Sequence, residues 1–299
     1  HHYHTMSRAS DAVHRRAFSR PNPVTDAVHG LTYAAAMGAN GPEMVARQGK
    51  GVERAGAKWA FGSGNRAFTY VGDFDGAAVE LRLSYFRQAG RWDFTPGQQP
   101  KYTVSTPVGT ELSLPDAIAC VNCHTTAAVV KDNVIRPEQS ILGIGCEGCH
   151  GAGKRHIQAV QAGEKDLRMV RLSEQRPRTT LELCGSCHRT EATGGDPHSP
   201  TTQGQLPRLQ GPALALSRCY KESQGRLTCV TCHNPHRNAS DTPRAGYNRI
   251  CASCHPGPQK AQAACPRAPA GDCVSCHMPA QAVEMPTRPV FHTHWIKVW

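Results

Sequence analysis

The sequence predicts a mostly irregular fold with short α-helices and a small antiparallel β segment in its N-terminal third. Leu, Ile, Val and Phe make up only 49 of the 299 residues, below the share of about 20% under which chains tend to be disordered. Gly and Pro together contribute 50 residues, which favours a loop-rich backbone. The 14 cysteines and 16 histidines are unusually numerous, and their spacing indicates what takes the place of the missing apolar core.

The pentapeptide Cys-x-x-Cys-His occurs six times. From the first motif to the sixth, the copies are Cys120, Cys123 and His124; Cys146, Cys149 and His150; Cys184, Cys187 and His188; Cys229, Cys232 and His233; Cys251, Cys254 and His255; and Cys273, Cys276 and His277. This pattern is typical of c-type haem attachment, in which the two thiols bond to the vinyl groups and the histidine is the proximal iron ligand. Zinc sites and disulfides also use Cys-x-x-Cys pairs, but they do not require a histidine after every pair. The sequence therefore predicts six covalently bound haem c groups, with the short helices wrapped around a chain of them.

The motifs predict three segments. Residues 1–26 form an N-terminal segment that is a candidate to supply a distal haem ligand, and residues 27–110 form a small β-rich domain without a haem motif. Within it, apolar and polar residues alternate over residues 79–85, and Asp75-Gly76 predicts a hairpin turn to a partner strand at residues 68–71. Residues 111–299 form a hexahaem cytochrome c domain.

The charge of the chain argues against nucleic acid as a partner. The formal net charge of +11 is opposed by about two propionates per haem, roughly −12 in total, so we expect a nearly neutral holoprotein. No run of Lys and Arg typical of a nucleic-acid tail is present. The uncharged apolar stretches fall short of the ~20 residues that cross a bilayer, so the chain is predicted not to span a membrane.

Distal iron ligands are the least constrained feature of the sequence. A low-spin haem that only carries electrons needs a second axial ligand. Ten histidines lie outside the six motifs, whereas complete bis-histidine ligation needs six. The supply of histidine therefore exceeds the demand, and Met278, directly after His277, is interpreted as a packing residue.

At these residues the sequence resembles the multihaem c-type cytochromes with repeated or doubled CxxCH motifs, in a planctomycete-like family. The matching stretches are residues 145–151 with His156, Cys219 with residues 225–236, residues 272–279, residues 291–296, residues 3–6, residues 62–64 and residues 92–97. They are distributed over nearly the whole chain. Relatives often carry a further CxxCH shortly before the stretch that corresponds to residues 3–6, so an upstream segment with another motif is one alternative.

The resemblance implies a set of distal ligands. His156, His236 and His294 match the family pattern, and His4, His29 and His198 are the next candidates. The closing motif of the family usually has Asp before its histidine, whereas Thr293 stands there in this chain, and the neighbouring His292 is an alternative to His294.

Two classes of function remain open on these observations. In the first, the protein is an electron-transfer relay through closely spaced bis-histidine haems, with assembly into an extracellular conductive filament as one outcome. In the second, it is a multihaem reductase or oxidase of a small nitrogen or sulfur compound at one haem with an open coordination position. Because all six motifs end in His and distal histidines are in surplus, the relay is favoured, with no catalytic residues and with redox proteins, other multihaem cytochromes or copies of itself as partners.

Export follows from the same chemistry, since haem c is attached on the oxidising side of the membrane. The sequence predicts a periplasmic or extracellular, cell-surface protein. Cys219 and Cys265 lie outside the motifs, and a disulfide between them is the plain interpretation in such a compartment. A free thiol or an interchain bridge is the alternative.

Overall fold

The structure is a computed structural model that describes residues 2–20, 23–132, 134–174, 177–190, 196, 209–255, 265, 271–283 and 290–299. The chain divides into two compact units, the first of which extends to Met169 and the second of which comprises most of residues 170–299. The first unit contains two of the Cys-x-x-Cys-His motifs and the second contains four.

A ten-stranded antiparallel sheet dominates the first unit. Its strands are β1 (Met6–Arg8), β2 (Val24–Asp26), β3 (Leu31–Gly38), β4 (Gly41–Gln48), β5 (Gly51–Phe61), β6 (Ala67–Phe74), β7 (Ala77–Leu81), β8 (Leu83–Phe86), β9 (Arg91–Phe94) and β10 (Gly109–Glu111). The strand order is β10-β7-β6-β5-β4-β3-β2, with β1 paired to β5 and β8 paired to both β6 and β9. Strands β7 and β8 follow one another along β6, so this edge of the sheet bends and the sheet curls.

The predicted fold class is wrong, because this large curled sheet replaces a mostly irregular chain with a small β segment. The core of the sheet is built from residues that the count of Leu, Ile, Val and Phe largely omits. Its buried members include five strand alanines and three large aromatic residues: Ala35, Ala46, Ala55, Ala57, Ala60, Tyr33, Tyr70 and Trp92. Small alanines leave room for the rings to interlock, so side chains build the core of this sheet.

The predicted hairpin is confirmed in part. Strands β6 and β7 pair in antiparallel register, and the turn between them has Asp75 at φ 50° and Gly76 at φ 82°, as a two-residue turn of the primed type requires. The predicted single strand over residues 79–85 is divided at Arg82, however. The backbone N–H of Arg82 donates to the Val108 carbonyl at 2.8 Å. Val108 directly precedes β10, so this bond lies outside the regular strand pairings.

The Arg82 side chain lies in the core, where it forms an ion pair with Asp26. Nη2 of Arg82 lies 3.1 Å from Oδ2 of Asp26, and both side chains are almost completely buried. The same carboxylate accepts from the His29 ring at 2.8 Å. Burial opposes ionisation of Asp26, but the hydrogen bonds from His29 and the charge of Arg82 hold the pKa of this carboxyl below its usual value. The ion pair therefore joins the start of the sheet to the bend between β7 and β8.

His14 also belongs to this core, on helix α1 (Ala12–Phe18). Its Nδ1 lies 3.1 Å from the Tyr70 hydroxyl and its Nε2 lies 2.8 Å from Oγ of Ser7. Burial lowers the pKa of His14 to about 4, against the opposing charge of Asp11. Because both ring nitrogens have partners within the core, His14 is a structural residue.

The remaining helices are short, and most of them carry motif residues. They are α2 (Leu114–His124), α3 (Glu147–His150), α4 (Lys154–Gln161), α5 (Pro177–His188), α6 (Gln210–Ala215), α7 (Arg218–Glu222), α8 (Cys229–Cys232), α9 (Arg244–Cys254) and α10 (Cys273–His277). Three two-stranded pairs accompany them: β11 (Thr125–Ala127) with β14 (Ile141–Leu142), β12 (Val130–Lys131) with β13 (Val134–Ile135), and β15 (Ala280–Ala282) with β16 (Val290–His292).

Candidate haem sites

All six motifs have the same local geometry, at the C-terminal end of a helix. Helices α2, α3, α5 and α10 end on the motif histidine, whereas in α8 and α9 the histidine directly follows the last helical residue. Within a helix, residues three apart lie on one face, so the two cysteines of each motif present their thiols to the same side. None of these cysteines is in a disulfide. The residues present therefore fit covalent attachment of haem c, which needs two free thiols on one side and an adjacent imidazole.

The first motif is packed against the N-terminal segment of the chain. Nδ1 of His124 donates to the Thr5 carbonyl at 2.7 Å, and the Phe61 ring meets the His124 ring edge-on at 5.2 Å. Burial lowers the pKa of His124, against the effect of its bond to Thr5. A histidine whose Nδ1–H is held by a carbonyl presents Nε2 as the metal-binding atom, so His124 has the orientation of a proximal iron ligand.

His4 lies in the same N-terminal segment, in a 3-10 helix over His2–His4. The His2 carbonyl accepts from the backbone N–H of Ile144 at 3.0 Å, two residues before Cys146. A side chain at Gly143 would collide with the Tyr3 carbonyl, which shows how closely the two backbones approach. The segment that carries His4 therefore contacts both the end of the first motif and the approach to the second.

The second motif is followed by helix α4, which carries His156. Nδ1 of His156 donates to the Leu167 carbonyl at 2.7 Å, so this ring too has its Nδ1 fixed. The next apolar residues of α4 are unusually exposed, with Ile157 at 56% and Val160 at 52%. An apolar surface beside a fixed imidazole fits the face of a porphyrin.

The fourth motif places two histidine rings at the separation expected of axial ligands. The ring centroids of His233 and His294 are 6.1 Å apart. Two imidazole nitrogens that bind one metal from opposite sides, each at about 2 Å, place their ring centroids about 6 Å apart. Burial, reinforced by the charge of His233, lowers the pKa of His294 to about 4, so its ring is neutral at neutral pH, as a metal ligand must be.

The backbone around His294 is held by the buried Ser217. Oγ of Ser217 donates to the His294 carbonyl at 3.1 Å and accepts from the Ile296 N–H at 2.8 Å. Nδ1 of His294 lies 3.2 Å from the His292 carbonyl. The predicted alternative, His292, is itself exposed, and its Nδ1 lies 2.7 Å from the Met278 carbonyl.

The sixth motif is enclosed by the last residues of the chain. Nδ1 of His277 donates to the Lys297 carbonyl at 2.9 Å, and the Trp299 indole N–H donates to the His277 carbonyl at 3.3 Å. The Lys297 ammonium lies over the rings of Trp295 and Trp299, at 3.5 and 4.0 Å from their centroids. The proximal histidine of this motif is thus fixed in the same way as His124.

In the second unit, consecutive motifs contact one another. Helices α5 and α8, which carry the third and fourth motifs, pack together, and the neighbouring Cys229 thiol raises the pKa of Cys184. Helices α8 and α9, which carry the fourth and fifth motifs, also pack together. Burial, together with the neighbouring Cys273, raises the pKa of the Cys251 thiol to about 11, so the fifth motif lies beside the sixth.

Asn248 links the fifth motif to the sixth by hydrogen bonds. Its side-chain oxygen accepts from the backbone N–H of Val274 at 3.0 Å, and its amide donates to Asp272 at 3.3 Å. Arg244, on the same helix α9, donates to Oγ of Ser275 at 2.9 Å. These bonds join α9 to the first turn of α10.

The other predicted distal ligands are less clearly placed. His236 is exposed, in the turn after the fourth motif, where its backbone N–H donates to Asn234 at 3.0 Å. His29 lies in the turn between β2 and β3, where its Nδ1 is 2.8 Å from Asp26 and its carbonyl accepts from the Gln48 amide at 2.8 Å. His198 lies outside the described residues. The predicted disulfide is not formed, because Cys219, which is half-buried, and Cys265, which is exposed, are both free.

Several contacts could not be predicted from the sequence. Ser217 lies 77 residues before His294, and the Tyr247 hydroxyl lies 3.4 Å from Nδ1 of His233. Neither residue belongs to a motif, and the only signal near Tyr247 is its position four residues before Cys251 on α9.

Two family models match segments that together contain four of the six motifs. Residues 95–151, which contain the first two motifs, match the family model described as cytochrome c554 and c-prime, and residues 222–260, which contain the fourth and fifth, match the doubled CXXCH motif. The multiheme cytochrome MtrA of Shewanella baltica (strain OS185) is 22% identical over an alignment of 218 positions, which covers 60% of this chain and 65% of that protein. The chain thus spans just under two thirds of that relative.

Among solved structures, the outer cell wall cytochrome OcwA matches 81% of this chain and 68% of its own, at 17% identity and a TM-score of 0.42. Within the part of the chain that the structure describes, no helix is long and apolar enough to cross a membrane. The six attachment motifs, with two family models that each match a pair of them, identify the chain as a multihaem c-type cytochrome.

Proposed function

We propose that this cytochrome is an electron-transfer relay through six covalently attached haems. The single observation that carries the proposal is the packing of consecutive motif helices in the second unit, α5 against α8, α8 against α9 and α9 against α10. Each bound haem supplies a one-electron iron couple. The cysteines of these motifs would hold the third to sixth haems, and the packing of their helices would keep the four attachment sites next to one another in the order of the sequence.

The histidines support a relay rather than an enzyme. Four ring Nδ1 atoms of proposed ligands lie next to backbone carbonyls, which leaves Nε2 of each ring available to a metal: those of His124, His156, His277 and His294. We assign His233 and His294 as the two axial ligands of the fourth haem, from their separation of 6.1 Å. A ligand on each side closes the iron to substrate, whereas a catalytic haem keeps one position open.

The remaining axial ligands are proposed from the motifs, from the segments that contact them and from the family pattern. The proximal ligands are the histidines of the six motifs, His124, His150, His188, His233, His255 and His277. His156 and His4 are proposed as distal ligands because they lie on segments that contact the first two motifs. His236, His29 and His198 complete the proposed set, from their match to the family pattern.

Location and partners follow from the cofactor. We propose that the protein is exported to the periplasm or the cell surface, since haem c is attached outside the cytoplasm, and that it exchanges electrons with redox proteins or other multihaem cytochromes. Assembly of copies into an extracellular filament stays a prediction of the sequence.

Counting haems and electrons on the same preparation tests the relay. We expect the intact mass to exceed that of the polypeptide by roughly six haem masses, about 3.7 kDa. Voltammetry of the protein adsorbed on an electrode should then integrate to six electrons per molecule, because a connected chain reduces every haem. A mass that shows six haems with an integral well below six electrons would mean that the haems are not connected.

A further inference from the structure

The Tyr247 side chain connects two neighbouring haem sites. Its hydroxyl lies 2.8 Å from the Ala239 carbonyl and 3.4 Å from Nδ1 of His233, and its ring meets the His233 ring edge-on at 5.5 Å between centroids. Tyr247 lies on α9, the helix that carries the fifth motif. The hydroxyl therefore contacts the proximal histidine of the fourth motif from the helix of the next one.

The direction of the two hydrogen bonds follows from the donors available. The Ala239 carbonyl can only accept, so the single hydroxyl proton of Tyr247 goes to it. A histidine that binds iron through Nε2 carries its remaining proton on Nδ1. Nδ1–H of His233 therefore donates to the tyrosine oxygen, and the Ala239 carbonyl fixes the orientation that makes this oxygen an acceptor.

We propose, on the basis of the relay function, that Tyr247 is a positioning residue that sets the reduction potential of the haem held by Cys229, Cys232 and His233. A hydrogen bond from Nδ1–H increases the basicity of the imidazole ligand, which stabilises ferric iron and lowers the potential. For His124 and His277 the acceptor is a backbone carbonyl, whereas for His233 it is a phenol oxygen at a longer distance. The fourth site thus has a proximal bond that differs from those of the first and sixth.

The position of Tyr247 along α9 extends this role to the next site. Cys251 follows Tyr247 by four residues, so the two side chains lie on the same face of the helix. The Tyr247 ring therefore joins the ligand of the fourth haem to the attachment of the fifth. A change of potential at the fourth site would alter the driving force of both steps that involve this site, the one from the third site and the one to the fifth.

The variant Tyr247→Phe tests the proposal, because it keeps the ring and removes the hydroxyl. In a redox titration of the holoprotein followed by electron paramagnetic resonance, one haem of six should shift to a higher potential. We expect a change of up to about tenfold in its reduction equilibrium, which is about 59 mV for a one-electron couple. The matched control is Tyr220→Phe on α7, since among the described residues no ring contact joins Tyr220 to a motif histidine.

The identity of the shifted haem is checked in a second background. The variant His294→Ala should mark the haem of His233 by converting it from low-spin to high-spin. The low-spin signal that is lost in His294→Ala must be the same signal whose potential shifts in Tyr247→Phe. The proposal is overturned if Tyr247→Phe leaves all six potentials unchanged, if it shifts several haems equally, or if the control shifts the same haem. These outcomes differ from a failure of the relay, which appears as fewer electrons than haems in the unmodified protein.

Discussion

Replacing His294 by alanine should convert one of the six haems from low-spin to high-spin. The His294 ring stands 6.1 Å from the His233 ring, the separation of two axial ligands, and alanine deletes the imidazole without replacing it. The magnetic circular dichroism of the oxidised variant should show one high-spin ferric haem and five low-spin haems. Added imidazole should restore the low-spin signal, because it can enter the space that the side chain leaves.

His292→Ala provides the matched control for this variant. His292 is two residues away, is exposed, and has its Nδ1 near a backbone carbonyl as His294 does, but no ring contact joins it to His233 among the described residues. The haem of His233 should stay low-spin in this control. If His294→Ala retained six low-spin haems, or if His292→Ala opened the same haem, the assignment of His294 would be wrong.

Asp26→Asn should destabilise the first unit by about 3–5 kcal/mol, the usual result of removing one partner of a buried ion pair. Asparagine preserves the shape of Asp26 but leaves the Arg82 charge buried without a counterion, at a side chain that is only 1% exposed. Nε and Nη1 of Arg82 already lack hydrogen-bond partners within the described structure, so there is no second acceptor to compensate. Urea unfolding of the holoprotein, followed by far-ultraviolet circular dichroism, measures the change in the free energy of unfolding.

Asp73→Asn is the corresponding surface control. Asp73 pairs with Lys58 at 3.2 Å, and both side chains are about half exposed. Exposed pairs of this kind contribute about 0–1 kcal/mol, so this variant should unfold almost as the unmodified protein does. Equal effects of the two variants would show that the Asp26–Arg82 pair does not hold the sheet together.

The attachment sites could be predicted from the sequence because their chemistry is local. Two thiols and an imidazole within five residues, such as Cys120, Cys123 and His124, suffice to define a site, and each motif lies at a helix end. The second axial ligand of a haem could not be predicted in this way, because the ring that faces His233 belongs to a residue that is distant in the sequence. Only the fold of the last segment, held by Ser217, brings His294 there.

The sheet could not be predicted because its core contains few of the large aliphatic residues that usually indicate buried strands. Ala46 pairs with Tyr33 across β3 and β4, and both are buried. Alanine has a low strand propensity and adds little to the apolar count, yet it leaves the space in which Tyr33 packs. The Asp75-Gly76 hairpin was predictable because its turn depends on two adjacent residues. The division of the next strand at Arg82 depends on Asp26, 56 residues earlier.

The spin state of the unmodified, fully oxidised holoprotein tests the central claim most directly. A relay through bis-histidine haems predicts that electron paramagnetic resonance shows only low-spin ferric haem, unchanged by nitrite, hydroxylamine or sulfite, because every iron already has two protein ligands. A substantial high-spin signal that shifts when one of these compounds is added would contradict the account, since it would reveal an open iron at which a reductase or oxidase acts.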